Sequence, residues 1–141
     1  MLSRPEWIAA LARASAEELA TALAAAAPIP PHRRLRGPEV GLTMLRGRAG
    51  GDGAPFNLGE ATLTRCSVAL EGGPVGHAWR LGRDCAAAEA AALLDALFQA
   101  APERAGPLLA PIRARLAAEA ERTARRAAAT EVRFATLAAM R

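Results

Sequence analysis

The sequence predicts an α+β fold, with two N-terminal helices, a three-stranded antiparallel meander, a central helix and a long C-terminal helix. Three observations carry that expectation. Two S-x-x-E capping boxes open the chain, at Ser3 to Glu6 and Ser15 to Glu18. Residues 39–82 then alternate with strand periodicity between glycine-rich turns, and the remainder is rich in alanine and leucine at helical spacing.

The first helix begins at Ser3-Arg4-Pro5-Glu6, because proline in the first turn forfeits only an N–H that has no intrahelical partner. Trp7, Ile8 and Leu11 fall on one face of it. The second begins at Ser15, places Leu19 and Leu23 four residues apart, and runs to about Ala26, where Pro28, Pro30 and Pro31 stop it. From Glu39, Val40, Leu42 and Met44 alternate with smaller or polar residues as a strand, and Gly50-Gly51-Asp52-Gly53 supplies the turn. Between Glu60 and Leu70, Leu63 lies on one parity and Cys66, Val68 and Leu70 on the other, which predicts a β-bulge near Thr64 or Arg65.

Glu71-Gly72-Gly73 reads as a hairpin loop into a third strand, with Val75, His77, Trp79 and Leu81 alternating with Gly76, Ala78 and Arg80. Asp84 caps the central helix, which extends to about Ala100 and carries Leu93, Leu94, Leu97 and Phe98 as an apolar stripe. Pro102 to Pro107 forms a loop, and Pro111 is an early residue of the last helix, which reaches about Ala129. That helix offers Ala117, Ala120, Ala124 and Ala127 inward, small residues that admit another backbone but add little core. An interface with another subunit, or self-association with a second copy, is expected there. Residues 131–137, with Val132 and Phe134 alternating, either continue the helix or add a fourth strand, the alternation favouring the strand.

With 141 residues, the chain is expected to form one domain spanning 1–141. Alanine makes up more than half of its 52% apolar content, so the core is thin and a partner surface is a reasonable source of stability. Every strong cation is arginine and lysine is absent, which excludes Schiff-base chemistry and lysine-based phosphate loops. The net charge of +4 permits nucleic-acid binding without indicating it, because no aromatic residues accompany the arginines of the last helix. There, Glu121 with Arg125 and Glu119 with Arg122 are spaced as ion pairs on a solvated face. An arginine-rich nucleic-acid-binding module is the alternative function, and a small free-standing enzyme a third.

Cys66 and Cys85 stand 19 positions apart without C-x-x-C spacing, so no metal or cluster site is expected and both read as buried free thiols. Glu6, Glu17 and Glu18 interrupt any apolar core of a leader peptide, and no apolar run reaches membrane-spanning length, which points to a cytoplasmic protein. G-x-S-x-G, H-E-x-x-H and Walker patterns are missing, so no catalytic residue is nominated and no cofactor is expected. His77 reads as a packed or hydrogen-bonded histidine, and His32 as a loop residue.

The ordered series Glu60-Ala61-Thr62-Leu63-Thr64-Arg65, Gly76 with Trp79, Gly82-Arg83-Asp84, Glu89 and Asp95-Ala96-Leu97 is the most informative stretch. It resembles the PhnG family of the carbon-phosphorus lyase pathway. Weaker similarity extends to Trp7, Leu11 and Glu18-Leu19, and to Leu109-Ala110-Pro111 with Val132, Arg133 and Phe134. The Cys85–Ala92 segment departs from the family pattern, with alanines replacing polar and basic side chains. The resemblance implies a non-catalytic or accessory subunit in organic phosphonate catabolism. In that pathway PhnI, with PhnG, PhnH and PhnL, displaces adenine from ATP with a phosphonate to give a ribose 1-phosphonate 5-triphosphate. PhnJ, the iron-sulfur radical enzyme, later breaks the carbon-phosphorus bond, and the implied partners are PhnI-, PhnH- and PhnJ-like subunits. Arg65, at the expected bulge, and Arg83 with Asp84, at the helix start, are the candidates for phosphate or partner contact, since guanidinium groups suit bidentate oxyanion recognition. The competing reading pairs Arg65 with Glu60 or Asp84 and leaves Arg83 with local surface contacts.

Overall fold

The computed structural model describes residues 1–132. Helices α1 (Arg4–Arg13) and α2 (Ala16–Ala25) begin as their capping boxes require, with Ser3 and Ser15 as N-caps. Strands β1 (His32–Arg48), β2 (Pro55–Leu70) and β3 (Val75–Leu81) form an antiparallel sheet of order β1-β2-β3. Helices α3 (Cys85–Ala100) and α4 (Ala105–Ala129) follow. The expected α+β architecture is the observed one. The fourth strand expected at residues 131–137 falls mostly outside the described residues.

Three boundaries differ from the sequence reading, and one is the start of β2, at Pro55 rather than Glu60. β1 begins at His32, seven residues before Glu39, because the run His32 to Arg36 pairs with Ser67–Leu70 despite its charge. α4 begins at Ala105 after a single 3-10 turn at Pro102–Arg104, so most of the expected loop is helical.

The bulge expected at Thr64 or Arg65 is absent. β2 pairs with β3 in unbroken register from Leu63 to Ala69, and with β1 from Ala61 to Arg65. The irregularities lie in β1 between Arg34 and Glu39, and opposite Leu45–Arg46 where Leu58 is the extra residue of β2. No switch of face is needed because Thr64, with Cys66, Val68 and Leu70, occupies the buried row while Leu63 lies on the other side. The Thr64 hydroxyl is satisfied there by donating to the Gly82 carbonyl at 2.7 Å.

The helices cover one face of the sheet. α3 lies directly on β2 and β3, α1 and α2 flank it, and α4 closes the far side of the helical layer. Phe98, Leu94, Leu19, Leu109 and Ile112 are fully buried, and Trp7 meets Phe98 edge to face at 6.0 Å. The sheet-facing surface of α3 is mainly alanine, with Ala88, Ala92 and Ala96 buried. Gly76 on β3 meets it so closely that a Cβ there would stand 2.0 Å from the Ala92 carbonyl oxygen and 2.5 Å from the Ala96 nitrogen.

Beyond Thr62 the sheet narrows to two strands, because β3 pairs only with Leu63–Ala69. β1 and β2 continue together to the turn at Ala49–Gly51 as a ribbon beyond the three-stranded part of the sheet.

Candidate functional site

Asp95 is the most connected polar side chain described, and it sits in the apolar interior of α3 with no solvent exposure. Its Oδ1 accepts from the Trp7 indole at 2.8 Å and from Arg4 Nε at 3.3 Å. Its Oδ2 accepts from Arg4 Nη2 at 2.9 Å, the His77 backbone N–H at 2.9 Å and Gln99 Nε2 at 3.2 Å. The carboxylate thus ties α1 and β3 to α3, and its lone pairs are spent on that junction.

Several arginines are likewise committed to helix ends and interhelical contacts. Arg80, on the helix-facing side of β3, donates to the Leu11 and Ala14 carbonyls at the end of α1, and burial holds its pKa below the ordinary arginine value. Arg104 donates to Ala26 O at 2.6 Å, satisfying a carbonyl at the end of α2. Arg115 reaches Glu18 at 2.7 Å and Glu119 at 2.8 Å, which links α4 to α2. Glu119 is therefore taken by Arg115 rather than by Arg122, while the Glu121–Arg125 pair is present at 2.6 Å. Of these three, only Arg115 belongs to the last-helix arginines that the sequence pattern places on a solvated face.

The sheet face away from the helices carries a row of polar and aromatic groups. Arg65 lies directly between Glu39 on β1 and Trp79 on β3, and Ser67 lies opposite His77. The Ser67 hydroxyl and His77 Nδ1 are 2.9 Å apart, and the His77 ring stacks on Trp79 at 5.9 Å. His77 is the hydrogen-bonded histidine its parity suggested. Ser67 and His77 resemble a nucleophile and base, but the pair sits on an open sheet face, and among the described residues no carboxylate orients the ring; the buried Asp95 binds the His77 backbone instead.

The three candidate residues are not brought into one cluster of contacts. Arg65 Nε donates to Glu39 Oε1 at 2.7 Å, and Arg36 donates to the same oxygen. These arginines, Arg36 foremost, lower the Glu39 pKa. The acid partner is thus Glu39, which faces Arg65 across the ladder, and neither Glu60 nor Asp84. Arg65 is set by regular pairing; the distortion lies next to it in β1, where a Cβ on Gly37 would stand 2.8 Å from the Arg65 carbonyl oxygen. Arg83 is exposed and, among the described residues, has no hydrogen-bond or ion-pair partner. Asp84 is the N-cap of α3, its Oδ1 accepting from the Ala87 N–H at 2.9 Å. That bond occupies a helix amide that an external anion would need.

Cys66 is buried and burial pushes its thiol pKa up, whereas Cys85 is half-buried. Both are free, and no group of three or more metal-ligating side chains lies together among the described residues. No described helix is long and apolar enough to cross a membrane.

Sequence reasoning missed two features. One is the Asp95 junction, whose signal is the i, i+4 pair Asp95 and Gln99 within a helix whose one other charged residue is Glu89. The other is the outward placement of Trp79, which is 52% exposed because Gly76, Ala78 and Arg80 take the helix-facing row.

The model of the family described as "Phosphonate metabolism protein PhnG" matches residues 2–139. A curated relative from Rhizobium meliloti (strain 1021), "Alpha-D-ribose 1-methylphosphonate 5-triphosphate synthase subunit PhnG", is 49% identical over 136 residues, covering 95% of this chain and 87% of the relative. With a match across nearly its whole length, the chain belongs to the PhnG family of phosphonate metabolism proteins.

Proposed function

We propose that this chain is an accessory subunit of an α-D-ribose 1-methylphosphonate 5-triphosphate synthase. It supports formation of the ribose 1-phosphonate 5-triphosphate from ATP and an alkylphosphonate in organic phosphonate catabolism. The single observation that carries the reading is the 49% identity to a synthase subunit over 95% of the chain. Residues 1–141 act as one PhnG-like domain, in the cytoplasm, assembled with PhnI-, PhnH- and PhnJ-like subunits. The commitment of Asp95, Arg80, Arg104 and Arg115 to internal bonds supports an architectural contribution over a chemical one.

Adenine release tests this directly. Purified chain mixed with ATP and methylphosphonate is expected to release none, whereas adding it to PhnI-, PhnH- and PhnL-type proteins is expected to raise the rate or make the reaction possible. Release of adenine by the chain alone overturns the accessory reading. An unchanged rate with and without the chain overturns the subunit reading.

A further inference from the structure

Over its three-stranded part, the sheet face turned away from the helices sets an aromatic pair beside guanidinium groups. Arg33 shares a row across the strands with Val75, Arg36 with His77, and Arg65 with Trp79. Arg34 turns the other way, to Glu89 on α3. The His77 and Trp79 rings stack with 24° between their planes, and more than half of Trp79 stays in water. The charged side chains of these rows are three arginines against one carboxylate, Glu39. Arg36 and Arg65 each spend Nε on Glu39, which leaves their Nη nitrogens without a hydrogen-bond partner among the described residues. Arg33 has no partner among them at all. A cavity of about 500 Å³ opens at the hairpin end of the same rows, with Arg33 and Val75 in its wall and Glu71 as its one acid.

We infer that this face binds a nucleoside polyphosphate, its base stacked on Trp79 and its phosphates held by the unspent nitrogens of Arg65, Arg36 and Arg33. Such a ligand joins in one molecule the two chemistries that meet here. The ring offers a π surface that accepts any base, and the guanidinium groups offer planar donors that match phosphate oxygens in pairs. From the Trp79 row to the Arg33 row is four residues of β3, roughly 13 Å at the rise of a strand. An extended nucleoside triphosphate covers that span, whereas a nucleoside or a lone phosphate falls short of it. An apolar protein surface laid on this face would strip water from three guanidinium groups that share a single carboxylate, a cost that phosphate oxygens remove. One aromatic pair stacks one base, where sheets that read RNA stack two or three, which favours a single nucleotide over a strand. The inference adds a site to the subunit reading and does not depend on it.

The test is calorimetric titration of the full-length chain with ATP, adenosine, inorganic triphosphate and a single-stranded RNA decamer. ATP is expected to bind, and adenosine and triphosphate each to bind at least tenfold more weakly. Trp79→Leu, and separately Arg33→Ala with Arg65→Ala, should weaken ATP at least fivefold with an unchanged melting temperature, while Trp79→Phe, which keeps a ring, stays within threefold of wild type. Arg46→Ala with Arg48→Ala removes the same charge from exposed positions on the two-stranded ribbon and should change nothing. No binding of ATP by the wild-type chain at about 1 mM overturns the inference. An equal loss in the Arg46/Arg48 variant shows general attraction to positive charge and overturns it as well. So does triphosphate binding as tightly as ATP and unaffected by Trp79→Leu. RNA that binds more tightly than ATP and is weakened by the same variants assigns the face to nucleic acid and also overturns it. The subunit reading is decided separately by adenine release, so either can fail without the other.

Discussion

Replacing Asp95 with alanine removes the acceptor for two donors at once, the buried Trp7 indole N–H and the partly buried His77 backbone N–H. Each buried donor left unsatisfied costs about 1–3 kcal/mol. Arg4, whose side chain is 42% exposed, can turn to water and adds at most about 1 kcal/mol. Relief of the buried carboxylate's own desolvation offsets part of the sum. The net loss is therefore expected near 3–5 kcal/mol, the range for removing one member of a buried charged network. Urea denaturation at pH 7, followed by tryptophan fluorescence and circular dichroism, measures it. A loss of that size is a large share of the roughly 5–15 kcal/mol that holds a domain together. Asp95→Asn keeps one oxygen for Trp7 but turns an amide N–H toward the His77 N–H, so it should lose stability as well. A double-mutant cycle with Trp7→Phe should return a coupling of about 1–2 kcal/mol. A loss below about 1 kcal/mol in Asp95→Ala, or a coupling of zero, refutes the account of Asp95 as the junction of α1, β3 and α3.

Gly76→Ala is expected to cost about 3 kcal/mol, since overpacking against backbone atoms cannot be relieved by a rotamer change, and equilibrium denaturation with a loss under about 1 kcal/mol would show that the layers separate freely. Hydrogen bonding to Arg115, and to Ser15 at the cap, depresses the Glu18 pKa. A depressed carboxylate contributes stability that is complete above its unfolded value, about 4.3, and is lost as pH falls through the lower folded value. Glu18→Gln should accordingly be less stable than wild type at pH 7 and show a shallower stability loss below about pH 4; parallel acid melting curves would contradict this. Arg65→Ala and Arg83→Ala should each change stability by less than about 1 kcal/mol, because one loses an exposed pair with Glu39 and the other no described contact. Loss of synthase activity or assembly at that unchanged stability assigns these arginines to substrate or partner contact, and normal activity in both leaves them structural.

Much of the fold was legible because local chemistry agreed with the outcome. The capping boxes at Ser3 and Ser15 fix the starts of α1 and α2, Asp84 caps α3, and the glycine turns separate the strands. The register was not legible in the same way. Leu63 looked inward because it is the largest apolar residue in its segment, yet Thr64 takes the buried row once its hydroxyl finds Gly82 O, a partner 18 residues away. The start of β1 was hidden because His32–Arg36 is polar and its pairing is tertiary. For the candidate site, Arg65 was singled out for a bulge that regular pairing of β2 removes, and the identity of its partner depended on which β1 residue stands opposite it. Arg80 and Arg104 could not be told from surface arginines by spacing, since what they satisfy are backbone carbonyls from distant helices.

The close contact of α3 with β3 limits how this sequence can drift. Gly76 faces the backbone of Ala92 and Ala96 with no room for a single added carbon, so this position cannot gain a side chain while its neighbours stay fixed. Among relatives, a larger residue there should be accompanied by a change in how α3 sits on the sheet, and with it by altered placement of Asp95 on the same helix. A substitution at position 76 should therefore travel with those at 4, 7 and 95, as one inherited unit rather than as independent sites.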